Sequence, residues 1–438
     1  MRVRVLPVVL AIAIGLVITL ALKNEGLKRD STPAVRTIVV RSTATPTVEH
    51  SLSTRVTLND DATVMSDALT TTTPSPTSTR VEIAENGAIT PEANFSPYVG
   101  LWLSPEEVAL LPAEGTAWNQ LLSVANQEPE EPDLYDKDND ADVQVLARAL
   151  VYARIGDPKY RSAVLDSIEA VMDQEFNPRR TSILSVARNL PAYIVAADLV
   201  DLAQDESLDS RFRLWLHDLS LTVFSGDGGS HTIASCHERR PNNFGSHCGA
   251  TRVAIALYLG DEPEVERAAM VFHGWLGNRQ AYTGFEYGRL TWQADPEAPV
   301  GINPPGATKS GYSIAGALPE EMRRGGDFRW PPKRTGYAWE ALQGALVQAE
   351  LLSRAGYSAW DWEDRALLRA VEFLHELGWD ANGDDSWQPW LINYVYDTDF
   401  PAAMPARPGK NMGWTDWTHG PERAALTSET ATSTENQP

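Results

Sequence analysis

Cysteine is almost absent from this chain of 438 residues, which contains only Cys236 and Cys248. Neither belongs to a CxxC pair, and the nearby His231, His237 and His247 show no HxxxH spacing. Such spacings are the usual mark of a structural metal site, so no metal is expected. In an exported protein the two cysteines are predicted to form a disulfide. The alternative is two unpaired thiols at the edge of a core.

Positive charge is also scarce. The chain has 37 lysine and arginine residues against 59 aspartate and glutamate residues, which gives a net charge of −22. A strongly acidic chain repels the phosphates of nucleic acids. No nucleic acid is therefore expected as a partner, and the charge otherwise indicates only that the body of the protein is soluble.

Long apolar runs are missing except at the start, where residues 5–22 follow Arg2 and Arg4. A basic start and an apolar stretch are typical of a secretory signal, and the run is near the minimum length that spans a bilayer. Residues 1–22 are predicted to be a signal peptide or an N-terminal membrane anchor; the alternative is a buried helix. The protein is expected to be extracytoplasmic: periplasmic, secreted or at the cell surface.

Two segments lack the apolar residues that a core needs. Residues 23–95 are rich in Thr, Ser and Pro, as in TTTTPSPTSTR at 70–80, and residues 421–438 are polar. Such compositions bury too little surface to offset the entropy of ordering. The first is predicted to be a disordered linker and the second a disordered tail.

Between 96 and 420 the apolar residues recur at helical spacing. Four stretches each show a helix, a turn and a second helix: 149–172, 192–221, 254–277 and 345–379. The sequence therefore predicts an all-α domain of stacked helical hairpins, either an open solenoid or a toroid. The Gly- and Pro-rich stretch 281–335 favours an incomplete (α/α) toroid with a cleft, because long irregular insertions are usually functional.

Several motifs resemble the alginate-lyase-like polysaccharide lyases, in the same order along the chain. They are WLSPEEVALLPAEGTAWNQLL (102–122), VQVLARALVYARIGD (143–157), SVARNLPAYIVAADLVDL (185–202), RPNNFGSHCGATRVAIALYLGD (240–261), LPEEMRRG (318–325) and GKNMGWTDWTHG (409–420). The resemblance implies an (α/α) toroid that cleaves an anionic, uronate-containing polysaccharide or oligosaccharide by β-elimination, with no cofactor.

Two positions depart from the pattern of that family. Phe244 stands where the family has a histidine directly after the second asparagine, and His247 lies three residues later. Tyr337, which matches the family's catalytic tyrosine, is separated from the motif's Arg324 by an inserted loop. These changes indicate either a retuned site or a lost one.

The residues themselves suit this chemistry. A uronate lyase must stabilise negative charge on a carboxylate while a base takes the C5 proton and an acid protonates the leaving oxygen. Asn243 and His247 share one face of a helix start, a position that favours an anion. Tyr337 is the candidate acid, with Arg324 nearby to favour its phenolate, and is predicted to face His247 across the cleft. The alternatives are a capping asparagine, a packed histidine and a packed tyrosine.

The sequence thus predicts four catalytic and eight substrate-binding residues. The catalytic candidates are His247, Tyr337, Asn243 and Arg324. The substrate-binding candidates are Asn242, Arg240, Glu321, Arg188, Asn189, Tyr193, Trp330 and Trp339. For the two tryptophans, ordinary core packing is the alternative to stacking on a sugar.

Two other functions stay open. A glycoside hydrolase on the same kind of fold needs two opposed carboxylates, and the candidates are Glu286, Glu321, Asp397 and Asp416. A non-catalytic glycan-binding surface protein would explain Phe244 as a sign of lost chemistry. The acidic runs 136–142 and 380–385 lack the Gly and Glu of an EF-hand and are interpreted as polar turns.

Overall fold

The computed structural model describes residues 100–226, 229–421 and 423. The predicted export segment and linker, and nearly all of the predicted tail, lie outside these residues. None of the described helices is long and apolar enough to cross a membrane.

Helices dominate the described residues. In chain order they are α1 (Pro105–Leu110), α2 (Thr116–Ala125), α3 (Ala141–Ile155), α4 (Pro158–Asp173), α5 (Ile183–Leu199), α6 (Glu206–Leu221), α7 (Ile233–Arg239), α8 (Asn243–Leu259), α9 (Glu262–Leu276), α10 (Pro319–Met322), α11 (Tyr337–Arg354), α12 (Trp362–Glu376), α13 (Gln388–Tyr396) and α14 (Thr415–Thr418). The strands described are β1 (Thr308–Lys309) and β2 (Tyr312–Ser313), an antiparallel pair. The predicted all-α class is confirmed.

The four predicted hairpins are present as α3–α4, α5–α6, α8–α9 and α11–α12. α3 and α8 end at the left-handed glycines Gly156 (φ 70°) and Gly260 (φ 72°), a conformation that costs glycine little because it has no Cβ. Gly356 and Gly378, which follow α11 and α12, also have positive φ. The turns therefore fall where the sequence places them.

The hairpins divide into inner and outer helices. α3, α5, α8 and α11 pack against one another in that order, and they are buried on nearly every side; all residues of α5 from Ile183 to Ala197 are buried. The partner helices bury only one stripe, such as Tyr160, Val164, Ile168 and Val171 in α4. Small apolar residues all round an inner helix and charges on one face of an outer helix produce this division.

The C-terminal segment returns to the first helices. α14 packs against α2, and the indole nitrogens of Trp414 and Trp417 donate to the carbonyl oxygens of Val143 (3.2 Å) and Pro112 (2.8 Å). The segment that follows α13 is therefore fixed against the start of the domain.

The insertion at 281–335 has a packed interior. Trp292, Ile302, Ile314 and Leu318 are fully or almost fully buried, and the side chain of Asn303 donates to the carbonyl oxygen of Trp292 at 3.0 Å. The segment contains the β1–β2 pair and α10 and leads directly into α11. The insertion is thus a structured part of the domain, and its C-terminal end connects directly to the start of the inner helix α11.

Close packing places the starts of α8 and α11 side by side. A Cβ on Gly344 in α11 would lie 2.4 Å from the carbonyl carbon of Ser246 in α8, closer than any side chain can approach. The side chain of Gln348 donates to the carbonyl oxygen of Ser246 at 2.9 Å. Because the contact is backbone to backbone, the first turns of these two helices reach the same surface.

Candidate active site

A cleft of about 710 Å³ opens where three inner helices begin. α5 contributes its first two turns, α8 contributes Asn243 and Phe244, and α11 contributes Tyr337 and Glu340. The segment 135–138 and Arg324 complete the wall. The first turns of helices carry free N–H groups and favour negative charge, so the cleft suits an anionic ligand.

Tyr337 and Arg324 meet in this cleft despite the loop between them. Tyr337 is the first residue of α11 and is 41% exposed. The guanidinium carbon of Arg324 lies 3.9 Å from the centre of its ring, within the range of a cation–π contact. The structure therefore brings together the predicted acid and the predicted cation.

The two asparagines at the start of α8 have different surroundings. The side chain of Asn242 accepts the Phe244 N–H at 3.2 Å and so caps the helix. Asn243 lines the cleft, and its backbone N–H donates to Glu321 at 2.6 Å, while its side-chain oxygen is buried without a hydrogen-bond partner. Asn242 is thus a helix cap, which was the alternative to substrate binding. Asn243 has a side-chain oxygen in the predicted site that accepts no hydrogen bond from the described residues.

A charged network that the sequence did not predict forms another wall. Arg188, with 4% of its side chain exposed, pairs with Glu340 and lies 3.8 Å from Asp138. Lys410 reaches Asp138 at 2.9 Å and Asp384 at 3.5 Å. Asp138 belongs to the run interpreted as a polar turn. The one sequence signal for a role of Asp138 is its position just before the motif at 143–157 that resembles the lyase family.

The two carboxyl groups bound by Arg188 differ in acidity. Burial works to raise the pKa of Asp138, but hydrogen bonds and charges from Lys137 and Lys410 hold this pKa at about 2. Burial raises the pKa of Glu340 above its ordinary value, although Arg188 opposes the shift. The cleft therefore contains one firmly ionised carboxylate and one that is protonated more easily.

His247 does not face Tyr337 across the cleft. Its side chain is fully buried, and its Nδ1 lies 3.2 Å from the side-chain nitrogen of Asn411. Burial, and then the charge of Arg188, lower the pKa of His247 well below its ordinary value. One turn into α8 the helix is already covered on all sides, so this histidine is a neutral group beneath the cleft.

We expect His247→Gln to retain turnover within about threefold and to lower the free energy of unfolding by about 1–3 kcal/mol, the cost of disturbing a buried hydrogen bond. Chemical denaturation and steady-state rates on the preferred glycan measure the two effects. His217→Gln, on the exposed part of α6, is the matched control and should change neither. If a folded His247→Gln variant lost a hundredfold or more in turnover, His247 would have to take part in catalysis.

Glu321 is a buried carboxyl at the base of α8. It is 1% exposed and accepts the Asn243 N–H, and its second oxygen has no hydrogen-bond partner. Burial raises its pKa to about 8, against the opposing effect of that hydrogen bond. The Glu321 carboxyl group is therefore mostly neutral at pH 7, and it holds Asn243 in place through the hydrogen bond to its backbone.

Glu321 should make stability fall as pH rises from about 5 to 8. In this window the folded protein keeps a proton that the unfolded chain, with a carboxyl pKa of 4.5, has lost, so alkali favours unfolding. We expect Glu321→Gln to reduce the slope of unfolding free energy against pH by up to about 1.4 kcal/mol per pH unit. Burial also raises the pKa of Asp385 to about 8. Asp385 is present in wild type and in the variant, so it contributes equally to the slope of both. Equal slopes in wild type and variant would contradict the assignment.

Of the eight predicted substrate-binding residues only Arg188 lines the cleft; Asn242, Arg240, Glu321 and the four residues described next do not. Trp339 and Tyr193 are buried, and the Trp339 indole donates to the carbonyl oxygen of Trp379 at 2.7 Å. The Asn189 side chain donates to the carbonyl oxygens of Asp136 and Ser185. Trp330 is half-buried and stacks on Tyr312 with ring centres 5.0 Å apart. Trp339, Tyr193 and Asn189 support the wall from behind, because an inner helix presents most of its residues to neighbouring helices.

The four carboxylates considered for a hydrolase do not oppose one another in the cleft. Glu286 pairs with Arg239 outside it, and Glu321 is buried. Asp397 caps the end of α13 in a left-handed conformation, and Asp416 accepts the Ala406 N–H at 2.8 Å. None of these four residues lines the cleft.

The two cysteines are joined. Cys236 in α7 and Cys248 in α8 form a disulfide with their Cα atoms 6.0 Å apart. The bond spans the short connection at 240–242, which carries Arg240 and Asn242. This connection is thereby held at both ends beside the cleft.

No protein-family model matches the chain, and no curated protein matches it at a significant level.

Proposed function

We propose that the protein is a polysaccharide lyase of the alginate-lyase-like kind, which cleaves an acidic, uronate-containing glycan by β-elimination. The observation that carries the proposal is the exposed Tyr337 with the Arg324 guanidinium 3.9 Å from its ring, in one cleft with Asn243 and Arg188. A phenol beside fixed cations and helix starts suits proton transfer next to a carboxylate.

The finer architecture that we propose is an incomplete (α/α) toroid. Its support is the order of packing: α3, α5, α8 and α11 follow one another as inner helices, and α13 and α14 lead from α11 back to α2. In a toroid the starts of inner helices gather at one end, which is where the cleft lies.

In the proposed reaction one residue transfers the proton twice. The Tyr337 phenolate takes the C5 proton, the C4–O bond breaks as the C4=C5 double bond forms, and the phenol returns the proton to the departing oxygen. His247 takes no part, because it is buried beneath the cleft. Arg188, Arg324 and the side chain of Asn243 face the uronate carboxylate and stabilise the charge that develops there.

A screen of polysaccharides tests the proposal. The full chain is incubated with uronate polymers and with neutral glucans, and the ultraviolet absorbance of the unsaturated product is followed. The proposal predicts absorbance with at least one uronate polymer and none with neutral glucans. We further propose, from the sequence of residues 1–22, that the enzyme acts outside the cytoplasm.

A glycoside hydrolase is the second candidate, favoured by one observation. Arg188 lies beside two carboxyl groups whose pKa values are shifted in opposite directions: the pKa of Asp138 is about 2, and that of Glu340 is raised. Such a pair is the arrangement of a base or nucleophile and an acid. New reducing ends without ultraviolet absorbance, lost in Glu340→Gln, would favour this function over the lyase.

A further inference from the structure

The cleft has a corner that the proposed reaction does not use. Tyr135 and Arg180 both line the cleft, and neither belongs to the charged network of Arg188. Ligand pockets of about 300–1,000 Å³ enclose a drug-sized molecule. A cleft of about 710 Å³ therefore has room for more than one sugar ring, so a glycan whose reacting sugar is held beside Tyr337 extends towards the other walls.

Arg180 is the cation of this corner. It is exposed, and its side chain makes no hydrogen bond or ion pair with any of the described residues. In the same cleft Arg188 pairs with Glu340. A guanidinium presents parallel N–H donors that match a carboxylate or a sulfate. An arginine that lines a cleft without an acidic partner is therefore suited to an anionic group of a ligand.

Tyr135 provides an aromatic surface in the same corner. The residue is 41% exposed, and no other ring or cation in the described part of the chain packs on its ring. The Ser185 hydroxyl donates to its carbonyl oxygen at 2.9 Å, and its N–H donates to Asp133 at 2.8 Å. The apolar C–H face of a sugar ring can be buried against such a fixed aromatic surface.

Asn177 joins the tyrosine to the turn that carries the arginine. Its backbone N–H donates to the hydroxyl oxygen of Tyr135, and its carbonyl oxygen accepts the Arg180 N–H at 2.8 Å. Thr181 is fully buried, and its hydroxyl donates to the same carbonyl oxygen at 2.9 Å. A Cβ on Gly226 would lie 2.6 Å from the carbonyl carbon of Thr181, so another segment packs directly on this turn. The backbone of the corner is thus preorganised, which lowers the entropy lost on binding.

The corner and the reacting sugar lie at different levels of α5. Ser182 caps the start of α5 just after Arg180, and Arg188 follows in the second turn of the helix. The step from Ser182 to Arg188 is about 9 Å along the helix axis, and all three residues line the cleft. The two arginines are therefore suited to two consecutive sugars of one chain rather than to a single group.

We propose that Tyr135 and Arg180 form a second sugar subsite. The Tyr135 ring packs on the face of the sugar next to the one that reacts, and Arg180 binds an anionic group, carboxylate or sulfate, of that sugar. The inference rests on the proposed function and specifies its substrate: a glycan in which neighbouring sugars both carry negative charge. The two residues have separate tasks, since the ring recognises a sugar face and the guanidinium recognises the charge.

Binding to the full-length Tyr337→Phe variant, the parent in these experiments, tests the proposal without cleavage. Isothermal titration compares three oligosaccharides of equal length: an oligouronate, an alternating uronate–N-acetylhexosamine chain, and the same alternating chain with sulfate on the hexosamine. We expect the first and third to bind about tenfold more tightly than the second, the effect of one charge-assisted hydrogen bond. A preference for only one of them also supports the subsite and identifies carboxylate or sulfate as the group recognised.

Substitution of Arg180 tests the recognition of charge. Arg180→Gln should lower the affinity for the oligouronate and the sulfated chain about tenfold, and change that for the unsulfated alternating chain less than about threefold. Arg180→Lys should retain part of the preference, because the positive charge remains. Arg179→Gln is the matched control: Arg179 is adjacent and also exposed, but it does not line the cleft, so its loss should leave the preference unchanged.

Substitution of Tyr135 tests the packing on a sugar face. Tyr135→Ala should weaken the binding of all three ligands about tenfold, because each loses the apolar surface that covers one of its rings. Tyr135→Phe keeps the ring and should stay within about threefold of the parent. Thermal unfolding midpoints close to that of the parent show that each variant is folded.

The outcomes separate this inference from the proposed function. Equal loss of all three ligands in Arg180→Gln, no preference in the parent, or unchanged affinities in Tyr135→Ala overturns the second subsite even if wild type forms unsaturated products. A preference that depends on Arg180, without unsaturated product from wild type, upholds the subsite and refutes the lyase. Binding of none of the three overturns the inference.

Discussion

Tyr337→Phe should abolish elimination, with a fall in kcat of about 10²–10⁴-fold, the usual effect of losing an acid–base group. Affinity for the glycan should change less than about threefold, because the Tyr337 oxygen transfers the proton only in the reaction itself and is not needed for binding. The ring that packs against Arg324 is kept, so the cation–π contact survives. Initial rates and isothermal titration with the preferred polyuronate measure the two effects.

Tyr312→Phe is the matched control. Tyr312 is similarly exposed, at 44%, but it stacks on Trp330 and does not line the cleft. Its hydroxyl should be dispensable for turnover. If Tyr337→Phe kept more than about a tenth of wild-type kcat, the tyrosine would not be the proton-transfer residue.

Arg188→Met should lower the free energy of unfolding by about 1–3 kcal/mol, since a buried cation is removed and its partly exposed partner Glu340 is left without it. Glu340 has 24% of its side chain exposed and loses its cation, and Asp138 keeps only its lysines. Elimination should also fall steeply, because a fixed cation no longer faces the uronate carboxylate. Urea denaturation at pH 7 and rates on the folded variant measure both.

Arg211→Met provides the comparison for this prediction. Arg211 pairs with Glu169 at 2.9 Å, with about half of each side chain exposed, and exposed pairs contribute at most about 1 kcal/mol. A similar cost for Arg188→Met and Arg211→Met would mean that the Arg188 network is not part of the structural support of the cleft.

The helical hairpins could be predicted from sequence because the turns are marked locally. Small apolar residues recur at steps of three and four, and Gly156 and Gly260 end their helices in a conformation that suits glycine. The pairing of Tyr337 with Arg324 was also predicted, from the order of two motifs. These features are determined by residues that are close together in the sequence, so they can be predicted without knowing the tertiary contacts.

The position of His247 could not be predicted in the same way. Asn243 and His247 do share a face of α8, but α8 is buried on nearly every side, and only its first turn reaches the cleft. Helical spacing gives direction around the axis and says nothing about depth along it. Trp339 was misplaced for a different reason: it lies in the first turn of α11, but its side chain is buried and its indole donates to the carbonyl oxygen of Trp379.

The charged wall of the cleft was missed because its partners are far apart in sequence. Asp138, Arg188 and Lys410 come from a turn, an inner helix and the C-terminal segment. Only the fold brings these three elements together. No local pattern could distinguish Asp138 from the other acids of its run, and its importance follows from the cations that surround it.

The masses of the products distinguish elimination from hydrolysis. The full chain is incubated with a defined oligouronate, and the two fragments of a single cleavage are weighed by mass spectrometry. Elimination adds no water, so we expect the two fragment masses to sum to the mass of the substrate, with the double bond on the new non-reducing end. Fragments that sum to the substrate plus one water molecule, with no double bond, would show that the enzyme is a hydrolase and not a lyase.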